Sequence, residues 1–423
     1  MYGEYDKKVI VMKNESTVLL NGYVMSENKK VVQVQNGLAV WMDRRLAPLY
    51  FRYRKDLEGW FHSRLIDGHR TNSRLLKRAL RLKQDDSVSA ALFCHAATIT
   101  DTYWYKQEGE NLTYQDVRFT HNFFDQLALR GDPNAFSLTP EPTPEVTNTG
   151  SFEKCWKLEN QRWWMYKHGT PDELLSELFI GKYAARLHFP AAEYVYYNER
   201  FLKTPDFTNN AEYCLEEIYP IVDGNDNYEI CFNAIGDLSE EYTGDRSIFQ
   251  EQYLQILYVD SVCYNMDRHA GNFGFLRDPE NGKVVSMAPN YDNNTALVAN
   301  GLPNTDRSRD GIIQFLKDFL ENDEGARTLY QKLDIKGLDK NEIRNILKEI
   351  PIHYSREDEL VEFIYDGQNI LNGLIYNKRR IELDPEDKEH HAEPRRDPAE
   401  EYIRQDQPDP AQTNDRQRNQ PEI

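Results

Sequence analysis

The sequence contains little cysteine, and its cysteines lie far apart. Five are present among 423 residues, and no two form a C-x-x-C pair. Zinc ribbons need such closely spaced pairs, and small secreted domains need a dense disulfide framework. The cysteine pattern therefore excludes both classes and is typical of a protein from a reducing cytoplasm.

Long apolar runs are also missing. No stretch approaches the roughly 20 apolar residues that span a bilayer. The opening segment, MYGEYDKKVIVMKNES, lacks the apolar core of a signal peptide. We therefore expect a cytoplasmic protein that is neither secreted nor associated with a membrane.

Positive charge is scarce overall, since the formal net charge at pH 7 is -19. Because nucleic acids bind to cationic surfaces, this balance argues against extensive nucleic-acid binding. Segment 43–83 is an exception, with twelve Lys and Arg against four Asp and Glu. Within it, RTNSRLLKRALRLK (70–83) predicts a basic helix. Such a helix is either an ordinary solvated element or a surface for a partner protein, a peptide or a nucleic acid.

Composition marks two breaks in the chain. The proline-rich stretch SLTPEPTPEVTNT (137–149) predicts a linker or loop, because proline removes main-chain donors. We expect residues 1–140 to form an N-terminal accessory domain. From 386 to 423 the chain has almost no large apolar residues, so we expect a disordered polar tail.

Local patterns between these breaks predict both strands and helices, an α+β protein. GSFEKCWKLENQRWWMYKHG (150–169) is typical of a hairpin with a polar turn at 159–161. Thr170 and Pro171 are signals for a helix start. FQEQYLQILYVDSVCYN (249–265) predicts a long helix with one apolar face, and 312–380 predicts several helices.

The window most informative about chemistry is YNMDRHAGNFGFLRDPENGKVVSMAPNYDNNTAL (264–297). Transfer of a phosphoryl group from ATP needs a carboxylate that accepts the hydroxyl proton and oxygen ligands for Mg²⁺. Asp267 fits the base, and Asn272 and Asp292 fit the metal ligands. The Asp-x-x-x-x-Asn spacing alone is a weak signal. The compound pattern of D-R-H-x-x-N-F-G, a strand and A-P-x-Y-D is far more specific.

The D-R-H-A-G-N-F-G-F-L run followed by A-P-N-Y-D resembles the C-terminal kinase domain of HipA-like serine/threonine kinases. These bacterial and phage-borne proteins are often the toxin of a toxin–antitoxin pair. The resemblance implies a bilobal protein-kinase-like fold, with a small β-rich N-lobe at 141–222 and a helical C-lobe at 223–385, that uses ATP and Mg²⁺. It further implies that Asp267 is the catalytic base and that Asn272 and Asp292 are catalytic residues that hold Mg²⁺.

The upstream half contains counterparts of the family's phosphate-binding parts. Gly150, Ser151 and Lys154, in GSFEK, resemble the phosphate loop. Lys167 resembles the strand lysine that binds ATP phosphates, and Glu177 resembles the helix glutamate that positions it. By resemblance these five residues bind the nucleotide. Taken alone, Lys167 is more typical of a solvent-facing strand end and Glu177 of an exposed helix residue. The downstream motif in the expected order favours the functional interpretation of both.

The chain also departs from the family pattern. Its phosphate loop has one glycine, and Met266 precedes the base where eukaryotic-type kinases have an H-R-D triplet. His269 is expected to be a structural hydrogen-bonding residue. Some family members autophosphorylate a serine of the phosphate loop and are thereby silenced. The candidates here are Thr147, Thr149 and Ser151, and the sequence does not choose among them.

The predicted function is therefore ATP- and Mg²⁺-dependent phosphorylation of Ser or Thr in a protein substrate, in a kinase with an antitoxin partner. The basic stretch 70–83 is the candidate surface for that partner, or for a substrate bound to nucleic acid. Two alternatives remain open: a pseudokinase that serves as an interaction module, and a lipid kinase of the phosphoinositide type.

Overall fold

The computed structural model describes residues 20–302 and 310–376. The predicted tail, 386–423, lies outside these residues. None of the helices in the two ranges is long and apolar enough to cross a membrane.

A four-stranded antiparallel sheet, the first sheet, is built from residues before 110. Its strands pair in the order β3-β2-β1-β4, and valines of β1 and β2 face the core. The same region contains six short helices and a 3₁₀ turn, Pro133–Ser137. The strands are β1 (Gly22–Ser26), β2 (Lys29–Gln35), β3 (Leu38–Trp41) and β4 (Tyr103–Gln107), and the helices are α1 (Tyr50–Tyr53), α2 (Leu57–His62), α3 (Ser73–Ala79), α4 (Ser87–Phe93), α5 (Tyr114–Val117) and α6 (Asp125–Arg130).

The predicted hairpin at 150–169 is confirmed and forms half of a second sheet, with strand order β5-β6-β8-β7. Its two-residue turn consists of Asn160 and Gln161, which both have positive φ, at 51° and 64°. This turn type matches the twist of the flanking strands. The strands are β5 (Lys154–Glu159), β6 (Arg162–His168), β7 (Val195–Asn198) and β8 (Phe201–Pro205).

Helix α7 (Pro171–Arg186) begins where the sequence predicts. Thr170 is the N-cap, and its hydroxyl accepts from the Glu173 amide while the Glu173 carboxylate accepts from the Thr170 amide. This reciprocal cap satisfies two of the otherwise free donors at the helix start. The cap fixes the helix so that its central turns are buried against the rest of the protein.

A third sheet and the remaining helices follow. The predicted long helix is confirmed as α9, and the side chains of Phe249, Tyr253 and Leu257 are buried along it. It packs into the largest apolar core, together with α7 and the C-terminal helices. The elements are β9 (Cys214–Glu217), β10 (Gly274–Arg277), β11 (Val284–Met287), α8 (Tyr228–Thr243), α9 (Ser247–Val262), a 3₁₀ turn (Leu297–Asn300), α10 (Asp310–Asn322), α11 (Glu324–Lys332), α12 (Lys340–Lys348) and α13 (Glu357–Tyr376).

A buried ion pair joins the third sheet to the N-terminal region. Arg277 Nη1 lies 2.8 Å from Glu216 Oε1 and donates to the Ala47 carbonyl at 2.7 Å. Glu216 also accepts from the Leu49 amide and from the Tyr103 hydroxyl. Because both charged groups are buried, the loss of either would leave an uncompensated charge.

Helices and several antiparallel sheets in one chain agree with the predicted α+β class. The prediction of a basic helix over 70–83 is wrong in extent. The helix is only α3, Ser73–Ala79, because the chain turns at Arg70 and again at Arg81, which has a positive φ of 59°. Arg70 is also not a surface residue, since only 1% of it is exposed.

Candidate active site

All but one of the eight predicted site residues line one cavity of about 390 Å³. Its lining comes from β5, β6, the loop after α9 and the loop after β11. Residues of the N-terminal region, among them Trp60, Arg64 and Thr100, form a further wall. The predicted residues on this lining are Gly150, Ser151, Lys154, Lys167, Asp267, Asn272 and Asp292.

Lys167 connects three elements at the base of the cavity. Its ammonium donates to Glu177 Oε1 on α7 at 2.7 Å and to Asp292 Oδ1 at 2.9 Å. Glu177 does not line the cavity and is 1% exposed. Although burial lowers it, the two carboxylates raise the pKa of Lys167 well above its usual value. Lys167 is therefore a fixed positive charge.

Lys154 is the second cation of the cavity and is held differently. In the hairpin register it pairs directly with Lys167, so both side chains are on the same face of the sheet. Its ammonium donates to no acceptor in the part of the chain that the structure describes. Burial and the charges of Arg70 and Lys167 together lower the pKa of Lys154 to about 8, against the pull of Asp292. This arrangement leaves one ammonium available for an anionic ligand.

The loop after α9 presents Asp267 and Asn272 together. The side-chain Nδ2 of Asn272 donates to the main-chain carbonyl of Asp267 at 2.8 Å, which closes the loop across their five-residue separation. The Asp267 carboxylate is exposed to the cavity and forms no hydrogen bond within the described ranges. An ionised carboxylate in such a position can accept a proton from a hydroxyl group.

Arg268 holds this loop to its neighbours. Its guanidinium forms a buried ion pair with Asp260 of α9, with Nε 2.9 Å from Oδ2. Its Nη1 also donates to the Asn272 carbonyl at 2.8 Å and to the Tyr291 carbonyl at 2.9 Å. The arginine of the D-R-H motif therefore fixes the relative positions of Asn272 and Asp292.

Asp292 combines a strained backbone conformation with a carboxylate oxygen that could bind a metal ion. It adopts a left-handed conformation, with φ of 61°, at which a non-glycine residue is strained. Although burial opposes ionisation, Lys167 and Lys154 lower the pKa of its carboxyl well below the usual value. One oxygen, Oδ1, binds Lys167, while Oδ2 and Asn272 Oδ1 accept no hydrogen bond from described residues.

These oxygens fit a hard divalent cation. Among the described residues no group of three or more His, Cys, Asp or Glu side chains could hold a metal ion. A metal bound by Asn272 and Asp292 would therefore share its remaining positions with water and ligand phosphate, as Mg²⁺ commonly does.

The loop at 143–151 is not an exposed linker. Glu145 and Thr147 are buried, and the Thr147 hydroxyl donates to the Ala97 carbonyl at 2.6 Å. Gly150 has φ of 93°, and a Cβ atom there would lie 2.6 Å from Lys154 Nζ. Ser151 is exposed at the cavity.

Three features of the cavity are not predicted by the sequence. Burial raises the pKa of Glu217, which lines the cavity, to about 7 despite the opposing charge of Lys154. The Tyr194 hydroxyl accepts from the Asp292 amide at 3.2 Å. The wall contributed by the N-terminal region carries no motif. Glu217 carries no sequence signal that could have identified it.

Comparisons with known proteins complete the description. Neither a family model nor a curated protein matches the chain. Among solved structures, the Helicobacter pylori proinflammatory kinase CtkA is 17% identical, with a TM-score of 0.44 over 52% of this chain and 92% of that one. HipA of Shewanella oneidensis MR-1, solved with HipB and operator DNA, is 10% identical, with a TM-score of 0.49 over 84% of this chain and 96% of that one. The chain is thus similar to these two structures at low sequence identity.

Proposed function

We propose that the protein is a HipA-like kinase that transfers a phosphoryl group from ATP, with Mg²⁺, to Ser or Thr of a protein substrate. The observation that supports this most is the convergence of two lysines, Asp267, Asn272 and Asp292 on one cavity. Lys167 and Lys154 supply positive charge on one side, and uncommitted carboxylate and amide oxygens supply metal ligands on the other. Phosphoryl transfer needs this division of roles and little covalent chemistry from the protein.

Each residue has a defined task in this proposal. Lys167, held by Glu177, and the free ammonium of Lys154 bind and orient the phosphates. Asn272 and Asp292 would hold Mg²⁺, which would neutralise phosphate charge when bound. Asp267 accepts the proton of the acceptor hydroxyl and orients its oxygen.

We infer that residues 141–222 are the N-lobe and residues 223–385 the C-lobe of a bilobal kinase, with 1–140 as an accessory domain. The second sheet and α7, which carry Lys154, Lys167 and Glu177, support the first assignment. The loops that carry Asp267 and Asp292 follow β9 and support the second. In this assignment the nucleotide lies between the two lobes.

The test is incubation of the protein with labelled ATP, Mg²⁺ and host lysate. The wild type should label protein on serine or threonine, and Asp267→Asn, which keeps the shape of the side chain, should not. A Met266→Leu variant is the matched control, because Met266 is exposed beside the base and has no assigned role. Labelling by Asp267→Asn at the wild-type rate would refute the role of the base. A wild type that binds Mg²⁺-ATP without transferring phosphate would point to a pseudokinase.

Autophosphorylation in the phosphate loop belongs to the same proposal. Ser151 is the preferred acceptor because it is exposed at the cavity, whereas the Thr147 hydroxyl is buried and bonded to Ala97. Mass spectrometry after incubation with ATP should find the phosphate on Ser151 and lose it in Ser151→Ala. A phosphate on Thr147 would contradict this choice.

An antitoxin-like partner protein is also proposed, with the exposed Arg74 and Arg78 of α3 as its candidate contact. In a protein of net charge -19 an acidic partner or nucleic acid would be attracted to this local positive surface. Reversal of both charges should weaken capture of a partner encoded beside this gene. Unchanged capture would move the contact elsewhere.

A further inference from the structure

Arg70 contacts three consecutive carbonyl groups of the loop at 143–151, which leads into the predicted phosphate loop. Its Nη2 donates to the Asn148 carbonyl at 2.6 Å and to the Thr149 carbonyl at 2.9 Å. Its Nε donates to the Gly150 carbonyl at 3.0 Å. Arg70 lies 78–80 residues before these partners in the chain, in the turn between α2 and α3. One side chain of the N-terminal region thus holds the backbone of the loop.

These contacts determine which way the loop amides face. In a trans peptide the carbonyl of one residue and the N–H of the next point in opposite directions. With three carbonyls directed at Arg70, the amides of Thr149, Gly150 and Ser151 are directed away from it. All three residues line the cavity, and these amides donate to no acceptor in the described part of the chain. A run of free amides of this kind is a binding site for an anion.

The energetics favour a positioning role for Arg70 over a purely stabilising one. The guanidinium is 1% exposed, and its hydrogen-bond partners in the described chain are all main-chain carbonyls. Nη1 is buried and has no partner. Burial lowers the pKa of Arg70 to about 10, against the attraction of the Glu145 carboxylate. A buried charge held mainly by carbonyl dipoles is costly to desolvate, so Arg70 contributes little net free energy to folding. What its hydrogen bonds do provide is a fixed geometry of the loop backbone.

We propose that Arg70 is a positioning residue for phosphate binding. It holds the Asn148–Gly150 carbonyls so that the following amides are preorganised toward the phosphates, and it contacts no ligand itself. This inference rests on the proposed function, since it assumes that a nucleotide occupies the cavity. It assigns part of the phosphate site to a residue far outside the motif-bearing half of the chain.

The test compares ligands with and without phosphate in Arg70→Gln and Arg70→Lys. Dissociation constants of Mg²⁺-ATP and adenosine are measured by calorimetry or by competition. We expect Arg70→Gln to weaken ATP binding by about tenfold or more and to leave adenosine binding unchanged, because only the phosphates contact the loop. Arg70→Lys should give an intermediate loss, since one ammonium cannot hold three carbonyls at once.

Arg327→Gln is the matched control. The Arg327 guanidinium also donates to main-chain carbonyls, those of Leu320 and Glu321, but it lies in α11 and does not line the cavity. Its loss should leave both dissociation constants unchanged. Unchanged ATP binding in both Arg70 variants, or equal losses for ATP and adenosine, would overturn the inference. A wild type that binds no ATP would instead refute the proposed function.

If Arg70→Gln does not fold, Arg70→Lys and hydrogen exchange decide the matter. In the wild type the amides of 149–151 should exchange rapidly and slow down with Mg²⁺-ATP but not with adenosine. In Arg70→Lys the protection by Mg²⁺-ATP should be smaller. Equal protection in the two proteins would overturn the role of Arg70.

Discussion

Lys154 and Lys167 face each other across the β5–β6 hairpin, and only Lys167 has carboxylate partners in the described chain. Like charges at directly opposed positions destabilise an antiparallel pair. Glu177 and Asp292 neutralise one of the two ammonium groups and leave the other to a ligand. The positive charge of Lys154 therefore stays unpaired until an anion enters the cavity. We expect measurable consequences of this and of the neighbouring buried charges.

The first concerns pH. Because the pKa of Lys154 is lowered to about 8, the free protein loses this charge as the pH rises above that value. Nucleotide binding must then be accompanied by uptake of a proton from solvent onto Lys154, so the dissociation constant for ATP should rise by up to about tenfold per pH unit between pH 8 and 10. Lys154→Arg keeps its charge and should show a flat profile over this range. Parallel titration curves for the two proteins would contradict the assignment.

The second concerns the buried ion pair. Lys167→Met leaves Glu177 buried and unpaired, which should cost about 3–5 kcal/mol of the free energy of unfolding. Addition of Glu177→Gln removes the buried charge and should restore much of this loss. Urea denaturation measures both effects. Phosphoryl transfer should be absent from both variants because both lack the Lys167 ammonium, although the double variant regains stability. A double variant no more stable than Lys167→Met would refute the pairing energetics.

The third concerns Gly150. An alanine there would be strained at φ of 93°, and its Cβ would lie 2.6 Å from Lys154 Nζ. Gly150→Ala should therefore lower both stability and ATP affinity. Gly37→Ala is a matched control, since Gly37 has φ of 79° but no atom within 4 Å of the added carbon. It should lower stability alone. Equal ATP affinities for the two variants would contradict the contact.

The fourth concerns Glu145 at the base of the phosphate loop. It accepts from the Trp156 amide at 2.7 Å and from the side chains of Asn122 and Asn148. Burial raises the pKa of Glu145 from 4.5 to about 7 in the folded protein. The folded state then binds a proton that the unfolded state has released. The contribution of Glu145 to the free energy of unfolding is therefore fully present below about pH 4.5 and is lost as the pH rises through 7.

The corresponding measurement is the free energy of unfolding of wild type and Glu145→Gln from pH 5 to 8. Relative to this variant, the wild type should lose stability over the range. Glu108→Gln, at an exposed carboxylate, is the control and should follow the wild type. A constant difference between wild type and Glu145→Gln would refute the assignment.

Local signals in the sequence predict local structure well. The cap at Thr170, the turn before Arg162 and the apolar spacing of α9 depend on neighbouring residues, and each is confirmed. The resemblance identifies eight candidates, on the loop before β5, on β5, β6 and α7, and on the loops after α9 and β11, and all but Glu177 line one cavity. Their chemical roles stay predictions until the transfer reaction is measured.

What the sequence does not predict depends on contacts between distant segments. Arg70 belongs to a basic stretch that is typical of a surface, yet it is buried because the loop at 148–150 supplies carbonyls from 78–80 residues away. Glu217 carries no motif, and only the folding of β9 beside the cavity reveals it. The burial of Glu145 likewise depends on Asn122 and Trp156, which no local pattern connects.

The wall that the N-terminal region contributes to the cavity has a practical consequence. An expression fragment that starts at residue 141 would retain every motif residue. It would lose the donors that Leu49 and Tyr103 provide to Glu216, and it would open one side of the cavity to bulk water. An inactive fragment of this kind would therefore say nothing against the motif residues, and any chimaera should exchange the two halves of the chain together.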